Sequence, residues 1–278
     1  MMMRRWVIAG AAGLALLAAA PAVAQRTEQE GVQVGRPSFV RRLVSAEKLE
    51  QAAQLQYGQL RSQATSRGLT APPDDPQAKR IERITRELLP YAQKWNERAK
   101  DWRWEVTLIR SRNINAFCMP GGKIAVFSGL VETLKLTDDE VAMVIGHEIA
   151  HALREHARER AAKVTLTNAG TVVIALLIGS NAGELARAGG SLMTLQFSRS
   201  DEKEADLIGM ELAARAGYNP EAGVTLWQKM SRAAKGAPPQ WLSTHPSGET
   251  RIKLIKDNLS RVMPLYQRAR AGKPPSAN

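Results

Sequence analysis

The chain has 278 residues, 44% hydrophobic and 24% charged, a globular composition that excludes collagen-like, low-complexity and wholly disordered architectures. Its single cysteine excludes an intrachain disulfide framework, a multi-cysteine zinc finger and an iron–sulfur cluster. Lys+Arg exceed Asp+Glu by 39 − 27 = 12, a balance that suits acidic partners: nucleic acid, an anionic membrane surface or an acidic protein.

Residues 1–24 read as a cleaved signal peptide. Arg4 and Arg5 form a positive n-region, and Trp6 to Ala20 is an uncharged, mostly apolar run of 15 residues. As a helix that run spans about 22 Å, short of the roughly 30 Å bilayer core. Pro21 breaks it, and Ala22-Val23-Ala24 is the small-x-small pattern of a cleavage site. No cysteine follows the run, so an acylated lipoprotein is not expected. Export predicts a periplasmic protein that keeps most of its basic charge. Nucleic acid then drops out as a partner, and an anionic membrane surface remains.

Residues 25–75 read as an N-terminal helical segment closed by a Pro-rich linker. Phe39 to about Arg67 carries Leu43, Leu49, Ala53 and Leu60 among charges, an amphipathic helical pattern. Ala71-Pro72-Pro73-Asp74-Asp75-Pro76 is the linker. The main domain follows over 76–265. Ile81, Ile84, Leu88, Leu89, Ala92 and Trp95 recur at helical spacing, Trp102 to Ile109 is a strand, and Phe117 to Phe127 is extended chain around Pro120-Gly121-Gly122. Val164 to Gly179 is apolar but too short for a comfortable membrane span, so a buried helix is expected. Residues 266–278 read as a disordered basic tail. Trp102, Trp104, Trp227 and Trp241 are assigned to the core.

Gly146-His147-Glu148-Ile149-Ala150-His151 contains H-E-x-x-H. Thr137-Asp138-Asp139-Glu140 announces its helix with a capping box, and the acids favour the positive end of the helix dipole. Four residues apart, His147 and His151 lie about 40° around the axis, so both imidazoles can meet one cation. Glu148, offset by about 100°, can reach a water on the metal without being a ligand. Catalytic zinc takes three protein ligands and keeps an open position. The third is expected from Ser198-Arg199-Ser200-Asp201-Glu202-Lys203-Glu204-Ala205-Asp206. Glu202 and Asp206 share a face there, with Glu202 as ligand and Asp206 holding the distal nitrogen of a ligating histidine. Glu204 lies about 160° away from that face. His156, about 140° from His151 on a continuous helix, is expected to face solvent, and Cys118 to be a small buried hydrophobe. His245, in Ser243-Thr244-His245-Pro246, has three readings: a fourth ligand blocking the open position, a donor to the tetrahedral intermediate, or a surface residue. Arg251 also has three, stabilising the oxyanion, holding the loop, or forming a structural salt bridge.

G-H-E-I-A-H, then S-R-x-x-E-x-x-A-D, then T-H-P-x-x-x-x-R-I resembles metallopeptidase family forty-eight, the gluzincin group that includes HtpX-type quality-control proteases and CAAX prenyl endopeptidases. The likeness runs from about Asn115 to Ile252. It implies an α+β, mainly helical fold of the zincin type, with a small antiparallel sheet beside the zinc helix. It implies one Zn²⁺ per chain on His147, His151 and Glu202, Glu148 as general base, and endopeptidase activity. Membrane helices of the HtpX and CAAX enzymes are not evident, so the soluble periplasmic branch is the better match, with unfolded or misassembled envelope proteins as substrates. In that branch the histidine matching His245 can cover the metal as a regulatory plug. Asn115-Ala116-Phe117-Cys118-Met119-Pro120-Gly121-Gly122 matches the family's N-A-F-x-x-P-G-G segment. The strand Lys123-Ile124-Ala125-Val126-Phe127 after Gly121 and Gly122 is expected to offer its edge to an extended peptide, binding main chain with little sequence preference. The competing class is a zinc-stabilised chaperone or assembly factor with little proteolysis.

Overall fold

The computed structural model describes residues 30–166, 196–235, 239–245 and 249–272. The expected signal peptide and most of the apolar stretch at 164–179 lie outside the described residues. A 3-10 turn at Phe39–Leu43 leads into α1 (Ala46–Ser66) and α2 (Pro76–Leu88). Strands β1 (Glu105–Ile109), β2 (Ala116–Met119) and β3 (Lys123–Phe127) follow. The remaining helices are α3 (Ser128–Thr133), α4 (Asp138–Leu153), α5 (His156–Leu166), α6 (Arg199–Arg215), α7 (Ala222–Ala233), α8 (Gln240–Thr244) and α9 (Glu249–Ala271). The fold is therefore α+β and mainly helical. No helix among the described residues is long and apolar enough to cross a membrane.

Local chemistry explains several boundaries. Asp75 Oδ1 accepts from the backbone N–H groups of Gln77 and Ala78, and Pro76 takes the first helical turn of α2, where its missing N–H costs nothing. The expected linker thus ends as a helix cap. Its start is tied to the sheet, with Ala71 N donating to Leu108 O at 3.1 Å. Between β2 and β3, Gly122 N donates to Met119 O at 3.2 Å, and Gly121 has φ +77°. A Pro-Gly pair at these positions is the pattern of a type II turn.

The sheet order is β1-β3-β2. β2 and β3 pair antiparallel, as expected of consecutive strands joined by a tight turn, but β1 and β3 pair parallel from Glu105↔Lys123 to Ile109↔Phe127. The sheet is therefore mixed. β3 is its central strand, flanked on both sides, so the expectation that Lys123–Phe127 offers a free edge is not met. The physical reason lies in its burial. Lys123, Ile124, Ala125 and Val126 are all buried, the continuous burial of a strand covered on both faces. α1 covers one face through Leu49, Ala53 and Tyr57, which cluster with Ile109, Met119 and Ala125. Tyr57 also donates to Ile124 O at 2.9 Å. The main core, centred on α4, covers the other. Among the described residues β2 pairs with β3 alone, so its outer side is the edge of the sheet, and the strand packs against α4.

α9 runs past the boundary set at residue 265. Val262 and Leu265 continue its buried face through Pro264, and Arg268 pairs with Glu30 at 2.5 Å, which extends order to Ala271.

α4 and α6 form the tightest helix pair. Gly146 and Gly209 meet at their crossing, where a Cβ on Gly209 would lie 2.6 Å from His147 N and one on Gly146 2.8 Å from Gly209 O. Both neighbours are backbone, so neither can yield by a rotamer change. Gly209→Ala should lower stability by about 2 kcal/mol or more, the upper part of the usual overpacking range. A thermal melt of apo protein checks this; an unchanged midpoint would mean that the helices are free to separate.

Candidate metal centre

Two capped helices set the phase of the centre. In α4, Thr137 Oγ1 accepts from Glu140 N while Glu140 Oε2 accepts from Thr137 N at 2.8 Å. In α6, Ser198 and Asp201 form the same reciprocal cap. From these fixed starts, His147 and His151 project from α4 towards Glu202 and Asp206 of α6. α8 brings His245 against them.

Four side chains converge. His147 Nε2 lies 3.1 Å from His151 Nε2 and 3.2 Å from His245 Nδ1. Glu202 Oε2 is 3.5 Å from His147 Nε2, and its Oε1 is 3.4 Å from His151 Nε2 and 3.0 Å from His245 Nδ1. All four residues are buried, with donor atoms within 4.8 Å of one another. A zinc ion holds nitrogen or oxygen ligands at about 2.0–2.1 Å, which puts tetrahedral neighbours about 3.3 Å apart. The observed separations bracket that edge. Two imidazole nitrogens facing each other at 3.1 Å, with a carboxylate beside both, also form the donor chemistry that zinc takes. The residues fit a zinc ion.

The outer atoms are held as well. Asp206 Oδ1 lies 3.2 Å from His147 Nδ1, the contact expected from the sequence. Arg251 Nε donates to Asp206 Oδ2 at 2.6 Å, and Arg251 also bonds Glu202 and Asp206 Oδ1. Its guanidinium lies 3.8 Å from the centre of the Trp227 ring. Burial pushes the Asp206 carboxyl up, but Arg251 and His147 outweigh it and hold the group below the usual carboxylate range.

The sequence profile of Peptidase family M48 matches residues 76–259. The chain belongs to peptidase family M48. Over 174 residues it is 38% identical to the mitochondrial metalloendopeptidase OMA1 of Arabidopsis thaliana, covering 61% of this chain and 35% of that protein. It is 32% identical over 154 residues to the metalloprotease LoiP of Escherichia coli, covering 54% and 60%. Similarity at 33% over 171 residues extends to a Vibrio cholerae protein with the provisional name beta-barrel assembly-enhancing protease, covering 57% and 35%. The chain thus spans between about a third and three fifths of these M48 relatives.

Within this M48 centre, Glu148 sits beside the donors, 2% exposed. Its Oε1 accepts from Trp241 Nε1 at 2.7 Å and lies 3.5 Å from His245 Nε2. Trp241, assigned to the core from sequence, is thus both core and site. It stacks on Trp227 with centroids 5.2 Å apart while its N–H faces Glu148. The i, i+4 spacing of Trp241 and His245 was the available signal. His245 is 2% exposed, so the surface reading does not hold. Arg251 turns its donors to Glu202 and Asp206, and its Nη2 also lies 3.2 Å from His147 Nδ1, the contacts of the salt-bridge reading. Glu204 points away to Arg154 at 2.7 Å, in keeping with the preference for Glu202. Cys118 is half-buried, and burial together with the Glu148 charge pushes its thiol up, away from nucleophilic use.

His156 departs from expectation: it is 2% exposed and inside the protein. The helix does not run on from His151 to His156, as a 140° offset requires. α4 ends at Leu153, Glu155 takes φ +55°, and α5 starts afresh at His156, turning the ring back onto His151. Positive φ at a glutamate leaves no mark in sequence. Phe197 is a further missed contact, stacked on His151 with centroids 4.0 Å apart.

Asp206→Ala should weaken zinc affinity by about 10–100-fold, the usual scale for a partner that orients a metal-binding histidine. Zinc titration by calorimetry measures it. Unchanged affinity would reduce Asp206 to a structural partner of Arg251.

Proposed function

We propose that this chain is a zinc-dependent endopeptidase that hydrolyses peptide bonds in proteins of the cell envelope. The observation that carries the reading is the convergence of His147, His151, Glu202 and His245 with Glu148 alongside. In this reading His147, His151 and Glu202 hold one Zn²⁺. When bound, the ion supplies Lewis acidity to the attacking water and the scissile carbonyl. Glu148 takes the proton from the water and delivers it to the departing amine. Asp206 and Arg251 keep the donors oriented. An extended substrate adds to the outer edge of β2, so that main-chain pairing positions it with little regard to sequence.

Envelope location rests on the charged, apolar and small-residue pattern of residues 1–24 and on the similarity to a protein named for β-barrel assembly. Unfolded or misassembled envelope proteins are the substrate class that fits main-chain recognition. The basic charge fits an anionic membrane surface nearby.

His245 acts here as a plug. Catalytic zinc sites keep one position open, whereas His245 completes a four-donor set and its helix partner Trp241 occupies Glu148. This closed arrangement also favours the second reading, an assembly factor whose centre turns over slowly. Incubation of the mature chain with unfolded casein, with and without a chelator, separates the two. Chelator-sensitive cleavage supports the peptidase, and its absence even after removal of His245 supports the assembly factor.

Glu148→Gln should retain zinc yet lose cleavage by about 100-fold or more, since a neutral amide cannot accept the proton. Metal analysis alongside the casein assay checks both halves; cleavage at the wild-type rate would sink the mechanism. His245→Ala should raise basal cleavage at saturating zinc. A fall of roughly tenfold or more, the low end for a lost transition-state donor, would overturn the plug and make His245 catalytic.

A further inference from the structure

The two histidines of α4 are held from behind in different ways. Asp206 faces the outer nitrogen of His147 directly. Behind His151 stands another imidazole: His151 Nδ1 lies 2.9 Å from His156 Nδ1, both rings being buried. The other nitrogen of His156, Nε2, lies 3.5 Å from Glu204 Oε2. Glu204 in turn accepts from Arg154 Nε at 2.7 Å, and Arg154 Nη2 donates to Gly35 O at 2.6 Å.

Proton positions along this chain follow from one condition. His151 Nε2 faces His147 and Glu202, so in the metal-binding state it keeps its lone pair for the ion. A neutral imidazole then carries its proton on Nδ1. Two protonated nitrogens cannot face each other at 2.9 Å, so His156 Nδ1 must present a lone pair. The proton of His156 therefore lies on Nε2, towards Glu204, whose carboxylate Arg154 holds in place. Each group has one role: Glu204 accepts, His156 relays, His151 donates outward and ligates inward. Phe197, stacked on the His151 ring, limits rotation.

We propose that His156 is a positioning residue of the metal centre. It accepts the His151 Nδ1–H and, through Glu204, fixes the tautomer and ring plane in which His151 Nε2 meets zinc. This rests on the reading of His147, His151 and Glu202 as metal donors. Glu204, rejected as a ligand on helical geometry, acquires a role at the outer end of the same centre. The contact depends on the break after α4, because a continuous helix would carry position 156 away from His151.

The test uses the full chain and Zn²⁺ alone, with Kd read by competition against a chromophoric chelator. His156→Ala should weaken zinc binding by about 10–100-fold. His156→Asn can place a carbonyl oxygen near the position of Nδ1 and so keep the acceptor, and should stay within about threefold of wild type. Co²⁺ absorption bands should shift for His156→Ala and return with His156→Asn. A merely space-filling histidine would not give this pattern, since rescue follows the acceptor and not ring volume. The proposal is overturned if His156→Ala binds zinc within about twofold of wild type, or if His156→Asn is as weak as His156→Ala. Should His156→Ala fail to fold, Glu204→Ala, which removes the acceptor for His156 Nε2–H, carries the comparison. A loss of about threefold or more supports the chain, and an unchanged Kd overturns it. Failure of wild-type protein to bind zinc would instead sink the metal reading, and with it this inference; zinc binding without any response to His156 sinks the inference alone.

Discussion

The contact between Gly146 and Gly209 sets the distances on which the rest of the centre depends. Two helices with ordinary side chains at their crossing stand 8–10 Å apart, as a rule; here the backbones touch. The crossing lies one residue from His147 and three residues from Asp206. It therefore brings a pair of histidines on one helix and a pair of acids on the other into direct contact. The capping boxes at Thr137 and Ser198 fix where each helix begins, and so which residues face the crossing.

Such closeness concentrates charge. Glu148, Glu202 and Asp206 are all buried, and Arg251 is the buried guanidinium that faces two of them. Ionised carboxylates removed from water are costly unless paired. With neutral histidines, three carboxylates and one guanidinium leave two negative charges uncompensated. A divalent cation among the four donors would supply that missing charge. The same arithmetic explains why Arg251 belongs to the centre although α9 lies far along the chain, and why Trp227 packs over its guanidinium.

What was legible in sequence was local. H-E-x-x-H, the Thr137–Glu140 box and the Glu202/Asp206 pair are all relations across three or four residues on one helix, where spacing gives direction. The β2–β3 turn was legible for the same reason, from Pro120-Gly121-Gly122. The parallel pairing of β1 with β3 was not, because it joins strands that are not consecutive and β2 intervenes between them in the chain. A sign of the central position of β3 was nevertheless present: Ile124-Ala125-Val126-Phe127 is continuously apolar rather than alternating, the pattern of a strand buried on both faces. His156 was misplaced by a rule correct for a helix that does not end. The break depends on one backbone angle at Glu155, which no residue type announced.

The placement of Trp241 on α8 and of His245 at its C-cap couples two blocks. His245 fills the donor set, while Trp241 bonds the carboxylate of Glu148. His245 N also donates to Trp241 O at 2.9 Å, so the two residues share one short turn of helix. In the plug reading, withdrawing the histidine alone would leave Glu148 occupied as a proton acceptor; withdrawing the tryptophan alone would leave the fourth position filled. Movement of the turn as a unit clears both. The main tie opposing it is Trp241, fully buried and stacked on Trp227, with its backbone N bonded to Ile114 O. Ile114 lies two residues before β2, the edge assigned to substrate. Under the proposed function, a peptide that adds to β2 would work close to the anchor of the turn that closes the site, which would give substrate binding a short physical route to opening it.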